Sequence, residues 1–231
     1  MEIRISVRKL VEFILRSGSI DNRRASFSET AMQEGGRIHR MIQRGMGADY
    51  QAEVSLKYVE RTPDYDICIE GRADGIITRK GKQVVTIDEI KGTYRDVGKM
   101  KSVVPVHLAQ ARCYAYIYGS QHQLSQVRVR LTYCNLDTEE IRYFHFEYSM
   151  EELTEWFEDV IGQYRKWADF KFAWQKRRTA SIKELEFPFP YRKGQKELAS
   201  YVYQTIYHKR KLFIEAPTGV GKTISTLFPA I

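Results

Sequence analysis

Asp74 and the run Ile87, Asp88, Glu89, Ile90, Lys91 are the residues of this chain whose types and spacing best suit reactive chemistry. Side chains alternate faces along a strand, so Glu89 and Lys91 share one face while Asp88 takes the other. With Asp74 on a neighbouring strand, two carboxylates and one ammonium converge. Carboxylates on rigid adjacent strands suit a hard divalent cation, Mg²⁺ or Mn²⁺, and the backbone carbonyl of Ile90 offers another oxygen. The ammonium would orient water or stabilise negative charge developing on a phosphate. Acids and bases along a strand also make an ordinary solvated face, and a lone E-x-K triplet is common. What favours a site is the ordered set: His39 upstream, then Asp74, Glu89 and Lys91, then Gln110 and Tyr114 downstream.

A second chemistry is written in Ala216, Pro217, Thr218, Gly219, Val220, Gly221, Lys222 and Thr223. Such a loop between a strand and a helix lets backbone amides approach a β-phosphate. Lys222 would reach the β and γ oxygens, and Thr223 would ligate Mg²⁺. No acidic partner for the ion and no second motor domain follow, and a P-loop alone cannot complete phosphoryl transfer.

The elements that must position these residues follow from periodicity. Ser6, after a short extended start, caps a helix with apolar Val7, Leu10, Val11, Ile14 and Leu15, closed near Gly18. A second helix after Ser28 runs through Ala31, Ile38, Met41 and Ile42 and carries His39. Its Gly35 and Gly36 would cost stability unless something packs closely there. From Gln51 three β-branched runs punctuated by Pro63, Gly75 and Gly81 predict an antiparallel meander. Pro105 opens a helix, two more strands follow, and the order is ααβββαββ. Ser149 with Glu152 forms a capping box for a long amphipathic helix. The basic run Lys176, Arg177, Arg178 and the prolines of FPFP predict a linker over 176–190. Beyond it lie a helix, a buried strand KLFIEA, the glycine loop and a last helix.

On His39, Asp74 in GRADG, Glu89 and Lys91 in DEIKG, and the Q-x-x-x-Y pair Gln110 and Tyr114, residues 1–175 resemble the RecB-like branch of the PD-(D/E)xK nucleases. The resemblance implies an α/β (α+β) restriction-endonuclease-like αβββαβ core with a mixed central sheet flanked by helices. It also implies metal-dependent DNA cleavage by an exonuclease, serving repair or recombination. His39, Asp74, Glu89 and the Ile90 carbonyl would hold Mg²⁺ or Mn²⁺, Lys91 would act on the attacking water or the phosphate, and Gln110 with Tyr114 would position the site or the strand. Ala73 stands where the family usually has proline, and Cys68, Cys113 and Cys134 do not fit the iron–sulfur arrangement of some relatives, so no cluster is expected. Residues 191–231, with FPFPYRKGQ before APTGVGKT, resemble the start of XPD/DinG-like superfamily 2 helicases. Gln195 would read adenine, Thr218, Gly219, Val220, Gly221, Lys222 and Thr223 would take the phosphates, and ATP would be used only in a complete helicase. The whole reads as the N-terminal part of a nuclease–helicase fusion whose C-terminal helicase domains lie beyond this chain.

Charge distribution fits a polyanionic partner. Residues 165–231 hold 14 basic and 5 acidic residues, while residues 1–164 hold 23 and 24, so the whole excess of +8 sits at the C-terminal end. Tyr164, Arg165, Lys166, Trp167, Phe170, Lys171, Phe172, Trp174 and Lys176 interleave aromatics with bases, which suits either single-strand contact or inward-packed rings. The three scattered cysteines argue against a disulfide framework and for a reducing compartment. No apolar run is long enough for a membrane span or a signal peptide, which predicts a cytoplasmic protein. Two further readings stay open: a catalytically inactive clamp that keeps shape and charge for a helicase, and a basic interaction domain without catalysis.

Overall fold

The computed structural model describes residues 1–16, 29–78 and 84–231. The expected helix stop at Gly18, start signal at Ser28 and turn at Gly81 lie outside them. Glu2–Ser6 form strand β1, and Ser6 caps helix α1 (Val7–Ile14), its hydroxyl accepting from the Lys9 amide at 3.3 Å. Helix α2 (Glu29–Arg44) follows. Among the described residues no tight approach explains its glycines: a methyl group on Gly35 would meet none of them within 4 Å, and one on Gly36 would meet the Arg40 guanidinium at 3.4 Å.

Strands β2 (Tyr50–Arg61), β3 (Asp66–Thr78) and β4 (Val85–Thr93) form the expected antiparallel meander. Thr62 closes the first turn, its hydroxyl donating to the Tyr65 carbonyl at 2.6 Å. Helix α3 (Pro105–Gln121) begins at its proline and leads to β5 (Gln126–Asn135) and β6 (Ile141–Ser149). The sheet is mixed, in the order β1-β3-β4-β5-β6 with β2 also on β3. β4 runs parallel to β5, and β5 antiparallel to β6. The extended start is more than a lead-in. β1 pairs in parallel with β3 from Glu2 opposite Asp66 to Ser6 opposite Glu70, which corrects the order ααβββαββ by one leading strand.

Helices cover both faces. On one, α3 is buried along most of its length from Ala109 to Gly119, and Tyr116 stacks on Phe157 with centroids 4.1 Å apart. On the other, Ile38 and Ile42 of α2 pack against Ile90 and Cys134. Each fully buried aliphatic side chain of this kind contributes about 1.5–3 kcal/mol. Cys68, Cys113 and Cys134 are buried free thiols. The fold is therefore α/β with a mixed central sheet flanked by helices.

Helix α4 (Met150–Lys183) opens on its capping box: the Glu152 amide donates to Ser149 Oγ at 3.1 Å, and the Ser149 amide to Glu152 Oε2 at 2.8 Å. It continues through Lys176, Arg177 and Arg178. The basic run is thus helical, and within 176–190 only the residues after Lys183 leave the helix. The chain divides into two compact units, Met1–Phe170 and Lys171–Ile231.

In the second unit, α5 (Gln195–Tyr207) and the short α6 (Lys222–Leu227) appear, but the buried strand expected over KLFIEA does not. Phe213 is 90% exposed. A strand holds its backbone polar groups only through neighbouring strands, and among the described residues none pairs with this segment. Among the described residues no helix is long and apolar enough to cross a membrane.

Candidate functional site

The site begins with a gap in the sheet. β2 occupies one edge of β3 from Asp66 to Ile77, so β1 and β4 must share the other. β1 covers Asp66–Glu70 and β4 covers Gly75–Thr78, so among the described residues no strand pairs with Gly71–Asp74 on that edge. Asp74 turns into the opening, and its Oδ2 accepts the Ile90 amide at 2.7 Å. Its other oxygen, Oδ1, lies 3.4 Å from Nδ1 of His39, which α2 carries over the sheet.

Glu89 stands on β4 beside this gap and is 1% exposed. Lys91 Nζ donates to its Oε1 at 2.6 Å and approaches Gln110 Oε1 at 3.4 Å, so α3 fixes the ammonium from the third side. The second oxygen of Glu89, Oε2, is buried and has no hydrogen-bond partner among the described residues. Burial first, and the nearby Asp74 carboxylate next, push the Glu89 carboxyl up to about 8. Tyr114 is buried against Gly71, where an added methyl group would come within 2.7 Å of its hydroxyl. Burial, then the Glu89 charge, raise its phenol. Tyr114 is therefore placed to shape the site from within.

Alternation sends Asp88 to the opposite face. There Arg130 holds it with two bonds of 2.9 and 2.7 Å, Thr132 Oγ1 donates at 2.6 Å and Tyr50 donates at 3.1 Å. All of its demand is met inside the fold, in contrast to Glu89 one residue later.

Sequence reasoning missed Glu53. Ala52 opposite Gly75 and Val54 opposite Ala73 set it across from Asp74. Its φ of +57° is uncommon for a residue with a side chain. Gln43 Nε2 donates both to Glu53 Oε1 and to the Asp74 carbonyl at 2.9 Å, and Arg72 Nε donates to Glu53 Oε2 at 2.5 Å. One ligand atom each from His39, Glu53 and Asp74 lies within 4.8 Å of the others. The signal was available: the turn pairs Arg61 with Asp66, and eight residues back and eight forward reach Glu53 and Asp74.

These donors fit a hard divalent cation. Two carboxylates and one imidazole converge in that group, a set that Mn²⁺ or Mg²⁺ accepts, and the Glu89 carboxyl lies near its Asp74 member with a buried oxygen that is costly to leave unbonded unless something positive meets it. Of Ile90 the amide is the group seen at the site, donating to Asp74 Oδ2.

The glycine loop is differently built. Gly219 and Gly221 take φ of +84° and +77°, and Lys222 Nζ donates to the carbonyls of Ala216 and Pro217 at 2.7 and 3.1 Å. Gln195 spends both ends of its amide on its own unit, accepting from the Arg192 amide at 2.7 Å and donating to the Val220 carbonyl at 2.9 Å. Arg192 also donates to the Gly219 carbonyl at 2.6 Å. Thr218 and Thr223 lie in and just after the loop. Lys222 and Gln195 are thus bonded within their own unit.

No protein-family model matches the chain. Over 51 residues it is 51% identical to a probable ATP-dependent helicase of Methanocaldococcus jannaschii, a stretch covering 22% of this chain and 8% of that relative's length. Among solved structures, an alkaline exonuclease from Laribacter hongkongensis is similar with a TM-score of 0.46 at 12% identity, over 78% of this chain and 94% of that one. The solved structure of SSO0001 is similar with a TM-score of 0.43 at 18% identity, over 71% and 77%.

Proposed function

We propose that this chain is a divalent-metal-dependent nuclease that hydrolyses phosphodiester bonds in DNA, and that it is the N-terminal part of a nuclease–helicase fusion acting in repair or recombination. The observation that carries the reading is Glu89: a carboxylate buried in a gap of the sheet, one oxygen held by Lys91 and the other without a hydrogen-bond partner among the described residues, beside Asp74. His39, Asp74 and Glu89 would hold Mg²⁺ or Mn²⁺, with Glu53 at the exposed side. The bound ion would supply positive charge to a phosphate oxygen and lower the pKa of water towards neutrality. The residues of the chain do the rest. Lys91, oriented by Gln110, presents its ammonium where charge develops on the scissile phosphate. Tyr114 and Gly71 set the separation between α3 and β3. Arg72 and Gln43 hold Glu53 in place.

The fusion is supported by the glycine loop of residues 216–223 and by the short match to a helicase-named relative. ATP hydrolysis would belong to the longer parent chain. The test is degradation of end-labelled single-stranded and duplex DNA with Mn²⁺, Mg²⁺ or EDTA, comparing the chain with Glu89→Ala and Lys91→Ala. Cutting that needs the metal and disappears in both variants is expected. Folded protein that never cuts with either metal would turn the reading towards a DNA-binding clamp.

A further inference from the structure

We propose that an aromatic ridge on α1 and α4 is a binding surface for single-stranded DNA. The inference rests on the nuclease reading only for what becomes of the strand afterwards. Of the aromatic and basic residues at the start of the chain's basic end, Tyr164 is buried, but Trp167 and Phe170 are 46% and 57% exposed, and Phe13 of α1 is 39% exposed beside them. The three rings are contiguous. Trp167 stacks on Phe170 with centroids 5.5 Å apart and planes at 27°, and Phe13 lies 5.8 Å from Trp167 and edge-on to Tyr164. Clustered exposed rings of this kind mark a binding surface, because a monomer gains by burying them.

Charge selects the occupant. Lys9 and Arg16 line an open cleft of about 280 Å³ together with Phe13, Trp167 and Glu12, whose carboxylate is already paired with Arg8. Within the same unit, the stretch of α4 from Arg165 to Phe170 adds Arg165, Lys166 and one acidic residue. That one, Asp169, accepts from the Tyr65 hydroxyl, while Arg165 is paired with Glu60. Protein interfaces are poor in lysine, and an apolar protein partner would have to desolvate this cationic rim. A single strand instead offers base faces to the rings and phosphates to the lysines, which is how sequence-tolerant single-strand sites are made. A duplex keeps its base faces stacked and would use only the cations.

The test is fluorescence anisotropy of labelled oligodeoxythymidylate in EDTA, where no metal-dependent cutting occurs, using the full chain at several salt concentrations. Affinity should fall as salt rises. Trp167→Ala and Phe170→Ala should each weaken single-strand binding by about tenfold or more, with Trp167→Tyr retaining most of it. Duplex affinity should be unchanged by these variants. Unaltered single-strand affinity in the Trp167→Ala/Phe170→Ala double variant, or equal loss for duplex, overturns the proposal. So does a wild-type dimer in sedimentation that the double variant abolishes. If the double variant fails to fold, quenching of tryptophan emission by the oligonucleotide decides: full quenching retained in Trp167→Phe overturns it. Because binding is read without cutting, a failure here leaves the Glu89 assay to judge the nuclease reading separately.

Discussion

The sheet gap around Asp74 and the glycine loop around Lys222 both carry a recognisable pattern of residues, yet the fold treats them in opposite ways. At the gap, three elements deliver charged groups that the fold leaves partly unsatisfied: Glu89 Oε2 has no hydrogen-bond partner among the described residues, and the Glu89 carboxyl is pushed up to about 8 by burial and by Asp74. At the loop, Lys222 and Gln195 bond to carbonyls of their own unit, and the strand that should precede them is open to water. A pattern becomes a site when the elements around it are paired well enough to hold polar groups away from their easiest partners. The sheet holds Glu89 in this way, whereas Lys222 and Gln195 are bonded within their own unit.

Removing the most committed group should have the largest effect. Asp74→Ala deletes the carboxylate that fills the gap, and metal-dependent cutting should fall by about 10³-fold or more, measured as initial rate on labelled DNA. Lys91→Met should cost about 10²- to 10³-fold in rate with little change in the metal concentration needed for half activity. A change confined to metal demand would place Lys91 in ion binding instead.

Acid–base behaviour sharpens the contrast without substrate. In the metal-free fold Glu89 keeps its proton up to about 8, whereas an unfolded chain loses it near the ordinary 4.5. The folded state therefore binds more protons over that interval. Its stability is fullest below the unfolded value and falls as pH rises towards the folded one, by an amount on the order of a few kcal/mol. Thermal melts in EDTA should show a midpoint that declines across this range, and Glu89→Gln should flatten the decline. Glu53→Gln is expected to raise the metal requirement by about tenfold while sparing the maximal rate, read by titrating Mn²⁺. Least of all, Mg²⁺ with ATP should move the melting midpoint by less than about 2 °C, since a self-satisfied loop gains little from nucleotide. A shift several times larger would erase the contrast between the two regions.

Much of this architecture was legible because it is local. The Ser6 cap, the Pro105 helix start, the capping box at Ser149 and the meander each carry their signal within a few residues. What escaped was non-local or lacked a partner. β1 joins β3 across more than sixty residues with no turn to announce it. KLFIEA has the composition of a strand, but composition supplies no neighbour. The basic run Lys176, Arg177, Arg178 was read as the start of a linker over 176–190, yet up to Lys183 the segment lacks Gly and Pro and is rich in helix-forming Lys, Arg, Gln and Ala, so the helix continues. Within the site, the alternation separating Asp88 from Glu89 was readable from spacing. Glu53 required counting both strands back from a turn.

Asp88 does no chemistry in this account, but its anchoring has a consequence for its neighbour. A one-residue slip of β4 would exchange its two faces and present Asp88 where Glu89 belongs. Such a slip would strand Arg130 and Thr132 without their buried acceptor, a loss of several kcal/mol for the charge alone. The tight knot on the far side of the sheet thus acts as a detent, and the alignment of the face that carries Glu89 and Lys91 is set by a residue on the opposite one.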